Sequence, residues 1–148
     1  MDIEATLAGH NVSEEDLEKA KSYQSRAGGS LEKILLNMGS FSEELLPSIY
    51  AQVTESSILS VDDRDAWVPP AEHPLVPFDF LLDKGWLLYH FDPALPLQFV
   101  TFAPLDWNVL QYLNHEQIDF TYIIASETDF GLLSMKAGDA SVDTTVSN

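Results

Sequence analysis

A short helical phrase occurs twice in this chain, and it limits what the N-terminal third can become. Ser13-Glu14-Glu15-Asp16-Leu17 returns 29 residues later as Ser42-Glu43-Glu44-Leu45-Leu46. Each copy reads as a helix start: a serine able to cap, then acidic residues in the first turn beside the positive end of the helix dipole. Between the copies, Leu31, Ile34, Leu35 and Met38 recur at helical spacing and Gly39 stops the run. A unit of this size cannot bury its apolar face alone. Repeats of the kind therefore stack, and they build surfaces for partners or ligands more often than catalytic centres.

The first helix is expected to run from Ser13 to about residue 24, with Asp16 reaching back in a capping-box sense and Arg26-Ala27-Gly28-Gly29 ending it. The helix after Ser42 carries Leu45, Leu46, Ile49, Tyr50 and Val53 on one stripe, and Pro47 predicts a late start or a kink. From about residue 57 the character changes. Residues 58–61 read as a strand and 62–73 as a polar loop. Residues 75–84 read as a helix closed by Gly85, then 86–91 and 97–102 as strands, 105–114 as a helix and 120–124 as a strand. Ser126-Glu127-Thr128-Asp129 opens a last helix, with a polar tail from Gly138. The expected architecture is α+β, an α/β sandwich. About three repeat helices (1–56) precede a small mixed sheet in β-α-β-β-α-β-α order (57–137), and 138–148 form a flexible tail.

A chain of 148 residues buries roughly 70% of its unfolded surface, enough for an independent core. The formal charge is −17. That opposes binding to nucleic acid or to an anionic membrane, both of which need lysine and arginine on phosphates. The charge is uneven: residues 1–36 hold 4 basic and 7 acidic residues, and 37–148 hold 3 basic and 17 acidic. An acidic surface of this kind suits a basic protein partner. Cysteine is absent, no apolar run reaches the length of a membrane span, and Met1-Asp2-Ile3-Glu4 lacks the basic and apolar regions of a secretory signal. A cytoplasmic protein without direct membrane insertion is the expectation.

Reactive constellations are not legible. His10, His73, His90 and His115 are scattered, without the i, i+4 spacing of a metal site. Gly28-Gly29-Ser30-Leu31 lacks the lysine and the spacing of a phosphate loop. Asp62-Asp63-Arg64-Asp65 lacks the glycine and distal glutamate of a calcium loop, and reads as an acidic turn. No catalytic residue, metal or cofactor is assigned. Two features stand out as binding candidates. Lys19, Lys21, Arg26 and Lys33 form the one basic cluster, beside the Gly28-Gly29 turn at a helix N-terminus, with surface pairing to Glu18 and Glu32 as the plainer account. Of the three tryptophans, Trp86 and Trp107 are expected in the core, and Trp67, in a proline-flanked acidic loop, is the candidate partner contact.

Taken together, the repeat and the α/β half resemble the N-terminal domain of type II secretion and type IV pilus assembly ATPases over about residues 5–136. The resemblance is carried by Leu31, Leu35, Leu36 and Gly39, followed by Ser42-Glu43-Glu44 and Leu46. Further support comes from Pro77-Phe78-Asp79-Phe80-Leu81-Leu82, then Gly85-Trp86-Leu87-Leu88, and the late Ser126-Glu127-Thr128-Asp129. It implies a bacterial, non-catalytic regulatory or adaptor domain that docks an ATPase onto the cytoplasmic part of an inner-membrane component. In one branch of that family, tandem helical motifs opening with Arg-Leu-Gly bind cyclic di-GMP, and similar domains are joined to membrane glycosyltransferases. Here the second copy opens Ser30-Leu31-Glu32, and Gln24 is kept while Val53 replaces the second glutamine, with Gln52 one residue early. Protein docking is therefore the first expectation. A cyclic di-GMP-sensing module, with Lys19, Arg26, Ser30, Leu31, Lys33, Leu35 and Leu36 around the ligand, is the second.

Overall fold

The computed structural model describes residues 2–71 and 73–146, with side chains to residue 138. The chain divides into two units, Met1–Glu55 and Ser56–Asn148.

The N-terminal unit is helical: α1 (Ile3–Gly9), α2 (Glu14–Ala27), α3 (Leu31–Asn37), a single 3-10 turn (Glu43–Leu45) and α4 (Leu46–Thr54). Ser13 Oγ accepts from the Asp16 amide at 3.1 Å, so the α2 cap forms as read. The Asp16 carboxylate itself accepts from Ser40 Oγ at 2.8 Å, tying the start of α2 to the loop after α3. Pro47 delays the regular helix as expected: the 3-10 turn comes first, and proline sits in the opening turn of α4.

Helix α1 corrects the three-helix reading. It packs on α4 and α2 packs on α3, and each copy of the repeat spans two helices, α1 with α2 and α3 with α4. The 29-residue offset matches buried Thr6 with Leu35, Val12 with Phe41 and Ala20 with Ile49. These residues, with Leu7, Leu31 and Ile34, make the unit's core. Extending the self-comparison upstream of Ser13 would have found α1, because the apolar pattern repeats there although the wording does not.

The C-terminal unit holds β1 (Ser57–Ile58), α5 (Val61–Ala66), α6 (Phe78–Asp83), β2 (Trp86–His90), β3 (Leu97–Thr101), α7 (Trp107–His115), β4 (Phe120–Ile124) and α8 (Glu127–Val146). The sheet order is β1-β4-β3-β2, with β2–β3 antiparallel and the other two pairs parallel. Alternation along the strands gives it two apolar faces. On one, Trp86, Leu88, Leu97, Phe99, Phe120 and Tyr122 meet Leu81 of α6 and Val109 and Leu113 of α7. On the other, Leu87, Tyr89, Val100 and Ile123 meet Phe130, Leu133 and Ala137 of α8. The result is a three-layer α+β sandwich. Trp86 is fully buried, with its ring centroid 5.5–6.0 Å from those of Phe99, Phe120 and Tyr122.

Several boundaries differ from the sequence reading. The strand expected at 58–61 is only Ser57–Ile58, because Ser60 caps a helix instead: its Oγ accepts from the Asp63 amide at 3.1 Å. That helix, α5, lies inside the stretch read as a loop. The helix expected from residue 75 begins at Phe78, after Pro77. α8 continues past Gly138 to Val146, where the tail was expected to start, and residues 147–148 lie outside the described residues.

Candidate functional site

The basic cluster lies on α2 and α3. Lys19 pairs with Glu15 at 3.3 Å, one turn apart, with both side chains mostly exposed. Lys21 reaches Glu4 of α1 at 3.4 Å and Glu18 at 4.0 Å. Arg26 donates Nε to the Ser22 carbonyl at 3.3 Å, and Lys33 is exposed on α3. Exposed pairs of this kind contribute little to stability, so these cations remain open to an anion. The adjoining turn is shaped by two glycines with φ of 78° and 97°. Gly28 closes α2 by donating to the Gln24 carbonyl at 2.8 Å, and Gln24 Nε2 donates to the Gly29 carbonyl at 3.0 Å. Gln52 is engaged with His10 at 2.9 Å.

The remaining residues of the anticipated ligand set divide by burial. Ser30 is half-buried at the start of α3. Leu31 and Leu35 are in the core, and Leu36 packs at its edge. Glu32, read as a surface partner for the lysines, is only 4% exposed. Its Oε2 accepts from Tyr50 Oη of α4 at 2.8 Å. Burial, then the charge of Glu32, then that hydrogen bond raise the Tyr50 pKa far above the tyrosine range. Thus α3, which carries Lys33 of the basic cluster, turns the neighbouring carboxylate inward.

The tryptophans correct the second candidate. Trp67 is 8% exposed: it stacks on Tyr89 with centroids 5.9 Å apart, and its Nε1 donates to the Tyr89 carbonyl at 2.8 Å. The acidic loop around it is the ordered α5. Arg64 holds Asp65 at 3.1 Å and Asp129 of α8 at 3.0 Å, which keeps the guanidinium pKa above its ordinary value. Lys136 of α8 donates to the carbonyls of Arg64, Asp65 and Trp67 at 2.9, 3.0 and 3.2 Å. Trp107, expected in the core, is instead 70% exposed at the first position of α7. The helical phase held this information: Val109 and Leu113 define the buried side of α7, and a residue two positions before Val109 falls well off it.

The chain thus combines a unit of two helical repeats with a three-layer α+β sandwich. The sequence matches no protein-family model and no curated protein. Solved structures do match. One is a structure of MshE with cdg (cyclic di-GMP), with a TM-score of 0.66 and 23% identity over 89% of this chain and 96% of that one. The N-terminal domain of XpsE matches in two crystal forms. The first has a TM-score of 0.65 and 16% identity over 90% of this chain and 91% of that one. The second has 0.55 and 18% over 89% and 91%. MshE and XpsE are secretion and pilus ATPases. At these identities the likeness establishes a shared fold, and it spans both units of this chain.

Proposed function

We propose that this chain is a non-catalytic adaptor module that docks part of a secretion or pilus machine onto a partner protein. The partner expected is the cytoplasmic domain of an inner-membrane component, which makes the module itself cytoplasmic. The observation that carries this reading is the fold it has in common with the N-terminal domain of XpsE along nearly its whole length. The charge supports it: residues 37–148 hold 17 acidic and 3 basic residues, a net of −14, which suits a basic partner. Among the described residues no helix is long and apolar enough to cross a membrane, so recruitment would run through that partner. The test is co-elution of the purified chain with the cytoplasmic domains of the inner-membrane secretion and pilus components from the same organism. A complex that weakens from 50 to 300 mM salt is expected; failure with every such domain would reject the reading.

A second reading, cyclic di-GMP sensing, is favoured by the ligand in the MshE structure. Lys19, Arg26 and Lys33 would supply charge and Ser30 a hydroxyl, while Leu31 and Leu35 would act through the core they fill. Buried Glu32 weighs against it, since it places a carboxylate where the related motif has glycine. Isothermal titration of cyclic di-GMP into the chain separates the two readings: micromolar binding supports sensing, and no heat at several hundred micromolar removes it.

A further inference from the structure

The outward side of α7 departs from the rest of the surface. The chain carries 24 acidic and 7 basic residues, yet Trp107–His115 contains no aspartate, glutamate, lysine or arginine. The inward side packs Val109, Leu110, Tyr112 and Leu113 into the core. The outward side presents Trp107, Gln111 and Asn114, all exposed and spaced i, i+4, i+7, a straight stripe along the helix. Nothing about this stripe is loose. Trp86 Nε1 donates to the Ala103 carbonyl at 2.9 Å and Tyr122 Oη to the Pro104 carbonyl at 3.2 Å, which pins the loop from beneath. Asp106 then caps α7 by accepting from the Val109 amide at 3.2 Å. A large indole is therefore held in water on a rigid support, with exposed Leu105 just before it. Carboxylates border both ends: Asp106 before the helix, Glu116 and Asp119 after it. Residues 56–148 contain only Arg64, Lys84 and Lys136 as cations, and Arg64 and Lys136 are committed to α5 and α8.

A tryptophan among neutral amides, free of charge in the middle and rimmed by carboxylates, has the composition of a binding interface. We propose that the Trp107–Gln111–Asn114 stripe is a docking surface for a basic amphipathic helix of a partner protein. The proposal rests on the adaptor reading and names its surface and the chemistry of its partner. The partner's apolar side covers the indole, and its lysines and arginines meet the bordering carboxylates. A second copy of this chain is the wrong occupant, because two molecules of charge −17 repel.

The test uses the whole, isotope-labelled chain and two synthetic 18-residue helical peptides with the same leucine stripe, one flanked by lysines and one by glutamates. The lysine peptide is expected to shift the Trp107 indole N–H and the side-chain amides of Gln111 and Asn114, leaving Trp67 and Trp86 in place; the glutamate peptide shifts none. Trp107→Ala and the pair Gln111→Lys/Asn114→Lys, all on exposed positions, are expected to weaken binding about tenfold with the rest of the spectrum intact. No shifts, or shifts centred elsewhere, would overturn the proposal. Carrying both variants into the co-elution experiment separates the two ideas. If wild type and variants capture the partner equally, this surface is wrong and the adaptor reading stands. If no partner is captured but the lysine peptide still moves the stripe, the surface stands and the choice of partner falls.

Discussion

Helix α5 depends on Lys136, 69 to 72 positions away from the carbonyls it bonds, and removing that residue measures how much. Lys136→Met deletes the ammonium that bonds three carbonyls at the end of α5 while keeping most of the apolar stem. The last carbonyls of any helix lack intrahelical partners, and a helix of six residues has few others to lose. A hydrogen bond to a charged group contributes about 1.5–3 kcal/mol. The site is half-buried, so water replaces part of the loss, and a net cost of about 2 kcal/mol for all three bonds follows. For a chain of this size that lowers the Tm by about 4–8 °C. The assay is thermal and urea unfolding followed by near-ultraviolet circular dichroism, with tryptophan emission read in a Trp107→Phe background, where Trp67 and the fully buried Trp86 remain. Trp67 closes α5 and bonds Tyr89, so its share of the emission should shift red before the rest of the unit unfolds. A Tm within about 1 °C of wild type, with the emission unchanged, would refute the reasoning and show that α5 stands on its own contacts.

Gly85→Ala should cost about 2–4 kcal/mol in urea unfolding, since φ is +83° and the new Cβ would lie 2.8 Å from the Phe102 ring. Tyr50→Phe leaves the buried Glu32 carboxylate without its donor and should cost about 2 kcal/mol or more, while the double change Tyr50→Phe/Glu32→Leu should recover most of it by calorimetry. Alkaline pH should unfold the protein through its tyrosines. Burial pushes Tyr122 up to about 12, and Tyr50 is raised as well. Below about pH 10 both folded and unfolded states keep these protons and stability is level; above it the unfolded state loses them first, so stability falls as pH rises toward the folded values. Ultraviolet titration of phenolate should show two tyrosines ionising only together with loss of the circular dichroism signal, and early, separate ionisation of all five would contradict this.

What the sequence determined by itself was the local part. Serines followed by acidic turns marked the caps at Ser13 and Ser126, and both serines bond the amide three residues on, at 3.1 Å. Short aromatic and branched apolar runs bounded by turn residues marked β2, β3 and β4, and the helical spacing of apolar residues marked α3 and α4. Caps and periodicity depend on neighbours within a turn or two, so they can be read without a fold. The tertiary structure alone decided the rest. Helix α5 is too short to persist on its own, and it exists because Lys136 and Asp129 arrive from α8. Glu32 looks like any surface carboxylate until α4 brings Tyr50 against it. Trp67 and Trp107 exchanged their expected places for the same reason: burial belongs to the packing of α5 and α7 on the sheet, and residue type carries only half of that information.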